Sequence, residues 1–235
     1  MNSRRTTTEF WPGHSSDAPV CLFPGGALLF RQGDLVTSMY FVTAGVVKLY
    51  RMEHTGRDAL IGIRGRGWLL GAASAILERP HLVSAVTAGP CELEVILAHQ
   101  FRQLRQTSGA LADWLQRALA YELLDQTANL ALFAAASPRD RLVRMLVRLA
   151  ESTGTKSADG VRLYLPLTHL DLAEAIGTTR EYVSRLVGEM TAEGVLLKRK
   201  GALLIPVSSP LFASIRTRHR AQESVRKNLT TGLIA

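Results

Sequence analysis

The chain has 235 residues, a formal net charge of +8 and 47% hydrophobic residues, enough for two modest domains with their own cores. Its two cysteines, Cys21 and Cys91, form no CxxC pair, which disfavours a disulfide framework or a cysteine-rich metal site and fits a reducing cytoplasm. The polar, basic N-terminus is not a signal peptide, and no apolar run approaches the roughly 18 residues that span a bilayer, so no membrane partner is expected.

The N-terminal half predicts a small β-roll over residues 21–108, preceded by a flexible arm over residues 1–20. The arm is rich in Ser, Thr, Pro and Gly and shows little periodicity. Short apolar runs separated by glycines follow, as in an all-β unit. The last run alternates, which puts Cys91, Leu93 and Val95 on one face and Glu92 and Glu94 on the other. The predicted strands cover residues 27–31, 40–43, 46–51, 59–63, 82–87 and 91–96.

A long helix is predicted from Leu111 to about Phe133, within a segment that spans residues 109–136. Leu111, Leu115 and Ala118 share one face, which we expect to pack against the roll. A second set of residues is spaced by 4, 3, 4 and 3, a heptad pattern that suits a partner helix. The alternative is a long core helix of a monomer. The heptad residues are Leu119, Leu123, Gln126, Leu130 and Phe133.

Residues 137–212 predict a winged helix-turn-helix. Ser137 and Pro138 form an N-cap with proline at the first helical position, so a helix begins there and runs to about Glu151. The joint over residues 134–137 is the expected hinge between the two domains. A loop over residues 152–160 and a strand over residues 161–165 lead into the helix-turn-helix.

The first helix of that motif is predicted to begin at Thr168, with Asp171 in its first turn, and to end at Gly177. The second helix begins at Thr178 or Thr179 and ends near Gly194. The apolar residues predicted to face the core are Leu170, Ala173 and Ile176 in the first helix and Val183, Leu186 and Val187 in the second.

The other face of the second helix carries a polar strip of Arg180, Glu181, Ser184 and Arg185 near its N-terminus. Arginine can form two hydrogen bonds with guanine, glutamate can accept one from cytosine, and serine is permissive, so the strip suits base edges in the major groove of DNA. Residues 137–235 carry 16 Lys or Arg and 9 Asp or Glu, which also suits a polyanionic partner. The alternative is an ordinary solvated helix face.

A β-hairpin is predicted over residues 195–207, directly after the second helix. Its tip carries Lys198, Arg199 and Lys200, which would neutralise backbone phosphates without reading sequence. A solvated hairpin tip is the alternative. The basic tail over residues 213–235 is expected to be a soluble end rather than a helix that touches DNA.

Two sets of motifs occur in the chain. One is GTTREYVSRL (177–186) followed by EGVL (193–196), and the other comprises FRQGD (30–34), YFV (40–42), GVVKLY (45–50) and FRQL (101–104). The first set resembles the recognition helix, and the second the cyclic-nucleotide-binding roll, of the CRP/FNR family of bacterial transcription regulators. The resemblance implies an α+β fold with an N-terminal jelly-roll-like β-roll, a long dimerisation helix and a C-terminal winged helix-turn-helix.

The resemblance also implies partners and site residues. Arg180, Glu181 and Arg185 match the base-contacting positions of the cyclic-AMP branch, and Ser184 matches the serine of the oxygen-responsive branch. Thr178 and Thr179 precede them as further DNA-binding candidates. The implied protein is a cytoplasmic homodimer that binds a pseudo-palindromic site on double-stranded DNA and contacts RNA polymerase through a loop over residues 53–58. A rival interpretation is a ligand-binding module whose helix-turn-helix contacts protein.

The chain departs from the family where cyclic AMP would bind. Gly71 and Ala72 stand where that branch has Gly-Glu, and Val83, Ser84 and Ala85 stand where it has Arg-Ser-Ala. Gly71, Ala72, Val83 and Ser84 are therefore candidates for an effector pocket that disfavours cyclic AMP, since a buried phosphate without a cation is costly. This mostly apolar pocket could hold an apolar effector or be filled by side chains.

Nearby, Arg79 and His81 are expected to be exposed loop residues rather than a substitute for the missing cation. No cofactor or metal site is expected, because two cysteines are too few for an iron-sulfur cluster and the six histidines are scattered. The chain offers no catalytic residues, since it lacks a nucleophile with a base, a phosphate-binding glycine loop and a metal-ligand set. An enzyme is therefore not expected.

Overall fold

The computed structural model describes residues 20–53, 58–199 and 201–215, which fall into two compact units that divide between Ala135 and Ala136. The predicted arm up to residue 19, most of the predicted RNA polymerase loop, Lys200 and the tail from residue 216 lie outside the described residues.

Eight short strands form two four-stranded antiparallel sheets in the first unit. The strand order is β1-β8-β3-β6 in one sheet and β2-β7-β4-β5 in the other. Each of the six predicted apolar runs overlaps one strand, whereas β1 and β6 were not predicted. The strands are β1 (Val20–Phe23), β2 (Leu28–Phe30), β3 (Ser38–Ala44), β4 (Val47–Met52), β5 (Asp58–Arg64), β6 (Leu69–Leu70), β7 (Ser84–Thr87) and β8 (Cys91–Leu97).

The alternation predicted for β8 holds on one face only. Cys91 and Leu93 are buried, as expected, but Glu94 is only 2% exposed. The expectation that Glu94 faces solvent is therefore wrong. Glu94 pairs in register with Phe41 of β3, whose side chain lies on the same face and is buried in a cluster with Phe101 and Leu111, so this face is covered at Glu94.

Three helices complete the first unit: α1 (Ala72–Leu77), α2 (Ala98–Thr107) and α3 (Gly109–Ala135). Leu111 and Leu115 of α3 are buried in a cluster with Met39 of β3 and Phe101 of α2, so they pack against the roll as predicted. Ala118 is half-buried. Such burial contributes roughly 1.5–3 kcal/mol for each large side chain.

The second unit combines three helices and a further helical segment at residues 210–215 with one antiparallel sheet of order β11-β12-β10-β9. The mixed α+β fold is thereby confirmed. The expected loop over residues 152–160 is partly wrong, because residues 155–157 pair with β10; that segment has no apolar residue, so only its backbone marks it as a strand. The elements are α4 (Pro138–Thr153), β9 (Thr155–Ser157), β10 (Gly160–Leu163), α5 (His169–Ile176), α6 (Arg180–Ala192), β11 (Leu197–Arg199) and β12 (Ala202–Pro206).

Helix α4 begins where the sequence predicts. Ser137 is its N-cap and forms a capping box with Asp140, and Pro138 follows at the first helical position. Leu142 and Leu146 are buried on its inner face. Residues of α4 itself and its N-cap therefore determine where the helix begins.

Candidate nucleic-acid interface

The first helix of the predicted motif is fixed by a capping box. The Thr168 hydroxyl accepts a hydrogen bond from the Asp171 amide at 3.1 Å, and the Asp171 carboxylate accepts one from the Thr168 amide at 2.8 Å. Gly177 ends α5 in the left-handed conformation with φ +65°, which favours glycine and turns the chain sharply. Both ends of α5 therefore lie where the sequence predicts.

The prediction that Leu170 of α5 faces the core is wrong. Leu170 is half exposed, whereas Leu172, Ala173 and Ile176 are buried. The buried stripe follows the spacing i, i+1 and i+4, so Leu170 lies beside the core rather than in it.

Helix α6 follows after a three-residue turn over residues 177–179. The Thr178 amide donates to the Ala173 carbonyl at 2.9 Å, so Thr178 belongs to the turn. Thr179 is the N-cap of α6, and its hydroxyl accepts a hydrogen bond from the Tyr182 amide at 3.3 Å. The face predicted to be apolar is buried, comprising Val183, Leu186, Val187 and also Met190.

The opposite face of α6 carries the predicted polar strip. Arg180, Glu181, Ser184 and Arg185 are all exposed in its first two turns. The Arg185 side chain is 62% exposed, and its guanidinium lies 4.5 Å from the centre of the Tyr182 ring, while its Nε is 3.8 Å from Glu189 Oε1. Stacking on Tyr182 orders the guanidinium and leaves it accessible.

Ser184 has a partner on the other helix. Its Oγ lies 2.7 Å from Nδ1 of His169, the first residue of α5. No sequence pattern indicates this contact, because the two residues are 15 apart and His169 is one of six scattered histidines. The polar strip therefore extends across both helices of the motif.

The predicted hairpin is formed by β11 and β12, which pair antiparallel. Lys198 and Arg199 on β11 are exposed, while Lys200 lies outside the described residues. Lys198 and Arg199 also line a cleft of about 330 Å³ together with His169, so the basic hairpin lies beside the start of α5. The arrangement places positive charge next to the helix-turn-helix.

Two arginines of α4 anchor the motif, and sequence reasoning missed both. Arg141 donates from Nε to the Ile176 carbonyl at the end of α5 at 2.8 Å, and from its Nη1 to the Ala136 carbonyl at 3.0 Å. Arg139 donates two hydrogen bonds to the Glu193 carboxylate at the end of α6. The bond from Arg139 lowers the pKa of Glu193, and the same pair raises the pKa of Arg139. Helix α4 therefore holds the C-terminal ends of both helices.

The predicted effector residues lie in the packing of the first unit. Gly71 is the N-cap of α1, and Ala72 is buried in the cluster that contains Phe101 and Leu111. Val83 packs against the other core cluster of the roll, and the Ser84 hydroxyl accepts a hydrogen bond from the Gln32 amide at 3.0 Å. The two positions that lack the family's charged residues are therefore apolar parts of the interior.

His81 is buried, so the expectation of an exposed loop residue is wrong. It is 4% exposed, and its ring stacks on Phe30 with centroids 3.9 Å apart. Backbone hydrogen bonds from His81 to the Asp34 carbonyl and from Gly33 to the His81 carbonyl draw the loop inward. A Cβ on Gly71 would lie 3.0 Å from the ring, so the imidazole fills the space beside Gly71. Arg79 is exposed, as expected.

Burial also affects the protonation of this histidine. Desolvation lowers the pKa of His81 below its ordinary value, with the charge of Asp34 acting in the opposite direction. The neutral imidazole is therefore the form that the roll favours.

A buried cation lies elsewhere in the roll, at Arg64. This residue is 5% exposed, and its guanidinium lies over the Trp68 ring at 4.4 Å. It donates to the Ile63 carbonyl at 3.3 Å and to the Glu122 carboxylate of α3 at 3.2 Å. A Cβ on Gly62 would lie 2.7 Å from Nη1, so the glycine leaves room for the guanidinium. Sequence reasoning missed this pair, whose members are 58 residues apart.

Within the parts of the chain that the structure describes, no group of three or more His, Cys, Asp or Glu could hold a metal ion. Across those same residues, no helix combines the length and the apolar character needed to cross a membrane.

Comparison with known proteins gives two family matches on this chain. Residues 20–108 match the cyclic nucleotide-binding domain, and residues 140–207 match the Crp-like helix-turn-helix domain. The Cyclic AMP receptor protein of Thermus thermophilus is 30% identical over 74% of this chain and 78% of its own length. The Global nitrogen regulator of a Nostoc species is 27% identical over 78% of this chain and 83% of its own.

Solved structures agree with these matches. The c-di-GMP responsive global regulator CLP of Xanthomonas campestris superposes with a TM-score of 0.62 at 26% identity, over 79% of this chain and 92% of that one. FixK2 of Bradyrhizobium japonicum gives a TM-score of 0.70 at 17% identity, over 80% and 92%, and so shares the fold. A cyclic nucleotide-binding domain and a Crp-like helix-turn-helix, in the order of these relatives, show that the chain belongs to the CRP/FNR family of DNA-binding transcription regulators.

Proposed function

We propose that the protein is a homodimeric regulator that reads a pseudo-palindromic promoter site through α6 and does so without cyclic AMP. The observation that carries the proposal is the exposed polar strip on the first two turns of α6, with the Arg185 guanidinium ordered against Tyr182. A helix of this kind enters the major groove with its N-terminal residues at the base edges.

Each part of the interface has a role in this proposal. Arg185 forms two hydrogen bonds with a guanine and Glu181 accepts one from a cytosine, so both act on a G·C pair. Arg180 and the threonines at the start of α6 lie at the edge of the strip. Lys198 and Arg199 of the hairpin neutralise phosphates, which adds affinity without sequence information.

Pairing with α3 of a second copy would account for the exposed apolar residues on the outer surface of α3. Leu123, Leu130 and Phe133 lie on the predicted heptad seam and are exposed, Leu130 by 71%. Exposed apolar side chains in a continuous stripe are typical of an interface, and a heptad spacing matches a second helix of the same kind. Two-fold symmetry would then put the two copies of α6 on half-sites about 34 Å apart.

The interior of the roll supports the proposed independence from cyclic AMP. The positions that would supply a carboxylate for the ribose and a cation for the phosphate are Ala72 and Val83, both within the packing. The His81 ring fills the space beside Gly71, and the buried guanidinium of Arg64 is engaged by Glu122. A cyclic phosphate would therefore be buried without a free cation.

A contact with RNA polymerase through the loop over residues 53–58 belongs to the same proposal and rests on the family resemblance alone. The rival function, a helix-turn-helix that contacts protein, has less support, because the basic hairpin beside α5 suits a polyanion. Loss of all DNA binding in purified protein would favour the rival.

Arg185→Ala is expected to weaken binding to the cognate site by roughly 1–3 kcal/mol and to relax the preference at one base pair. The measurement is selection of bound duplexes from a random pool, followed by titration of single-base variants. Arg162→Ala is a matched control, because it also removes one exposed guanidinium, on β10. Equal loss of affinity for every sequence would contradict base reading by Arg185.

Leu130→Lys is expected to convert the dimer into a monomer at micromolar concentration, because a charge on the seam would be desolvated on association. Sedimentation equilibrium measures the mass, and Leu124→Lys is the control, because it makes the same substitution at an exposed residue of α3 that lies off the predicted seam. An unchanged mass in Leu130→Lys would place the dimer interface elsewhere.

Cyclic AMP is expected to leave the thermal midpoint and the DNA affinity unchanged. A ligand at 100 times its dissociation constant stabilises the folded state by about 2.7 kcal/mol, so binding would be visible. Titration of cyclic AMP to millimolar concentration in both assays is the measurement. A rise in the midpoint or in DNA affinity would overturn the proposed independence.

Acidification is expected to destabilise the roll through His81. Because burial lowers the pKa of His81, its contribution to stability is full above the ordinary value of about 6.5 and is lost as the pH falls through the lowered value. Thermal unfolding at pH 7.5 and 5.5 should show a smaller drop for His81→Phe, which keeps an aromatic ring next to Phe30. Identical drops in both proteins would exclude His81 as the titrating group.

A further inference from the structure

The hydroxyl of Ser184 on α6 is bonded to a residue of the neighbouring helix. Its Oγ lies 2.7 Å from Nδ1 of His169, and Ser184 lies within the exposed strip between Glu181 and Arg185. We propose that His169 is a positioning residue that sets the base selectivity of Ser184 at one position of each half-site. The inference rests on the proposed reading of DNA by α6 and adds a determinant to it.

The reason lies in the chemistry of a hydroxyl group. A free serine carries one donor proton and two acceptor lone pairs, so it bonds to any base and discriminates little. The hydrogen bond with Nδ1 uses either the proton or one of the lone pairs of the hydroxyl. If the hydroxyl donates to Nδ1, it is left as an acceptor for the amino group of adenine or cytosine. If Nδ1–H donated to the hydroxyl, the hydroxyl would keep its proton and one lone pair and would still discriminate little, so the proposal requires the first arrangement.

The imidazole is held firmly enough to impose this choice. His169 is the first residue of α5, whose first turn is fixed by the capping box between Thr168 and Asp171. Helix α5 packs on α6, and Leu172 and Val187 from the two helices line the same cleft as His169. The contact therefore joins two elements that are already positioned by their own packing.

The surroundings of His169 offer no competing carboxylate among the described residues that line this cleft. The charged side chains there are Lys198 and Arg199, and the other lining residues are apolar or glycine. With no carboxylate there to accept a proton from Nδ1, this nitrogen is left to accept the proton of the Ser184 hydroxyl. The serine is thus the partner that the structure gives to this atom.

A simpler role for His169 is a contact with the DNA backbone, as for Lys198 and Arg199. The two roles differ in what they change. A phosphate contact affects all sequences alike and contributes to the salt dependence of binding, whereas a positioning contact affects the preference at one base pair.

The test compares duplexes selected from a random pool by the full-length wild type, His169→Ala, Ser184→Ala and the double variant. We expect the wild type to discriminate about tenfold or more at one position of each half-site, and both single variants to lose that discrimination at the same position. The double variant should lose no more than either single variant, because the two residues act as one unit. His169→Asn, whose amide can bond to the same hydroxyl, should restore part of the preference.

Two results separate failure of this inference from failure of the proposed function. If the wild type selects a pseudo-palindrome and His169→Ala keeps every base preference while binding all sequences more weakly, with a salt slope reduced by about one, His169 contacts phosphate and the inference is wrong. If the wild type selects no sequence, DNA reading by α6 itself fails.

Discussion

Burial of one face of α6 is the constraint on which the rest of the second unit depends. Val183, Leu186 and Val187 are buried against the core, so the residues between them face outward as a set. The turn at Gly177 and the Thr179 cap fix where this helix begins, and Arg139 and Arg141 of α4 hold the ends of the two helices. Packing, capping and hydrogen bonding together thus set the direction in which the polar strip of α6 faces.

Local signals in the sequence were sufficient for much of this architecture. The N-caps at Ser137 and Thr168, the glycine at 177 and the apolar spacing of α6 each act within a few residues, so the chain alone predicts them. The exposure of Arg180, Glu181, Ser184 and Arg185 follows from the same spacing. Their role as DNA ligands stays a prediction.

Contacts between distant residues could not be predicted in this way. His169 and Ser184 are 15 residues apart, and the histidine looked like any polar residue at a helix start. The sequence around His81 is typical of an exposed loop. The backbone hydrogen bonds that draw His81 inward are made with residues 33 and 34, which are distant along the chain. The burial of Glu94 could not be predicted either, because the strands beside β8 come from distant parts of the chain.

The ion pair between Arg64 and Glu122 has a consequence for any anionic molecule that enters the roll. A carboxylate fixed to α3 is always near the guanidinium, so it acts as a competitor at high effective concentration. A free carboxylate or phosphate that binds Arg64 must displace it and thereby leave Glu122 without that cation. Binding of an anion to Arg64 is thus tied to a change at residue 122 of α3.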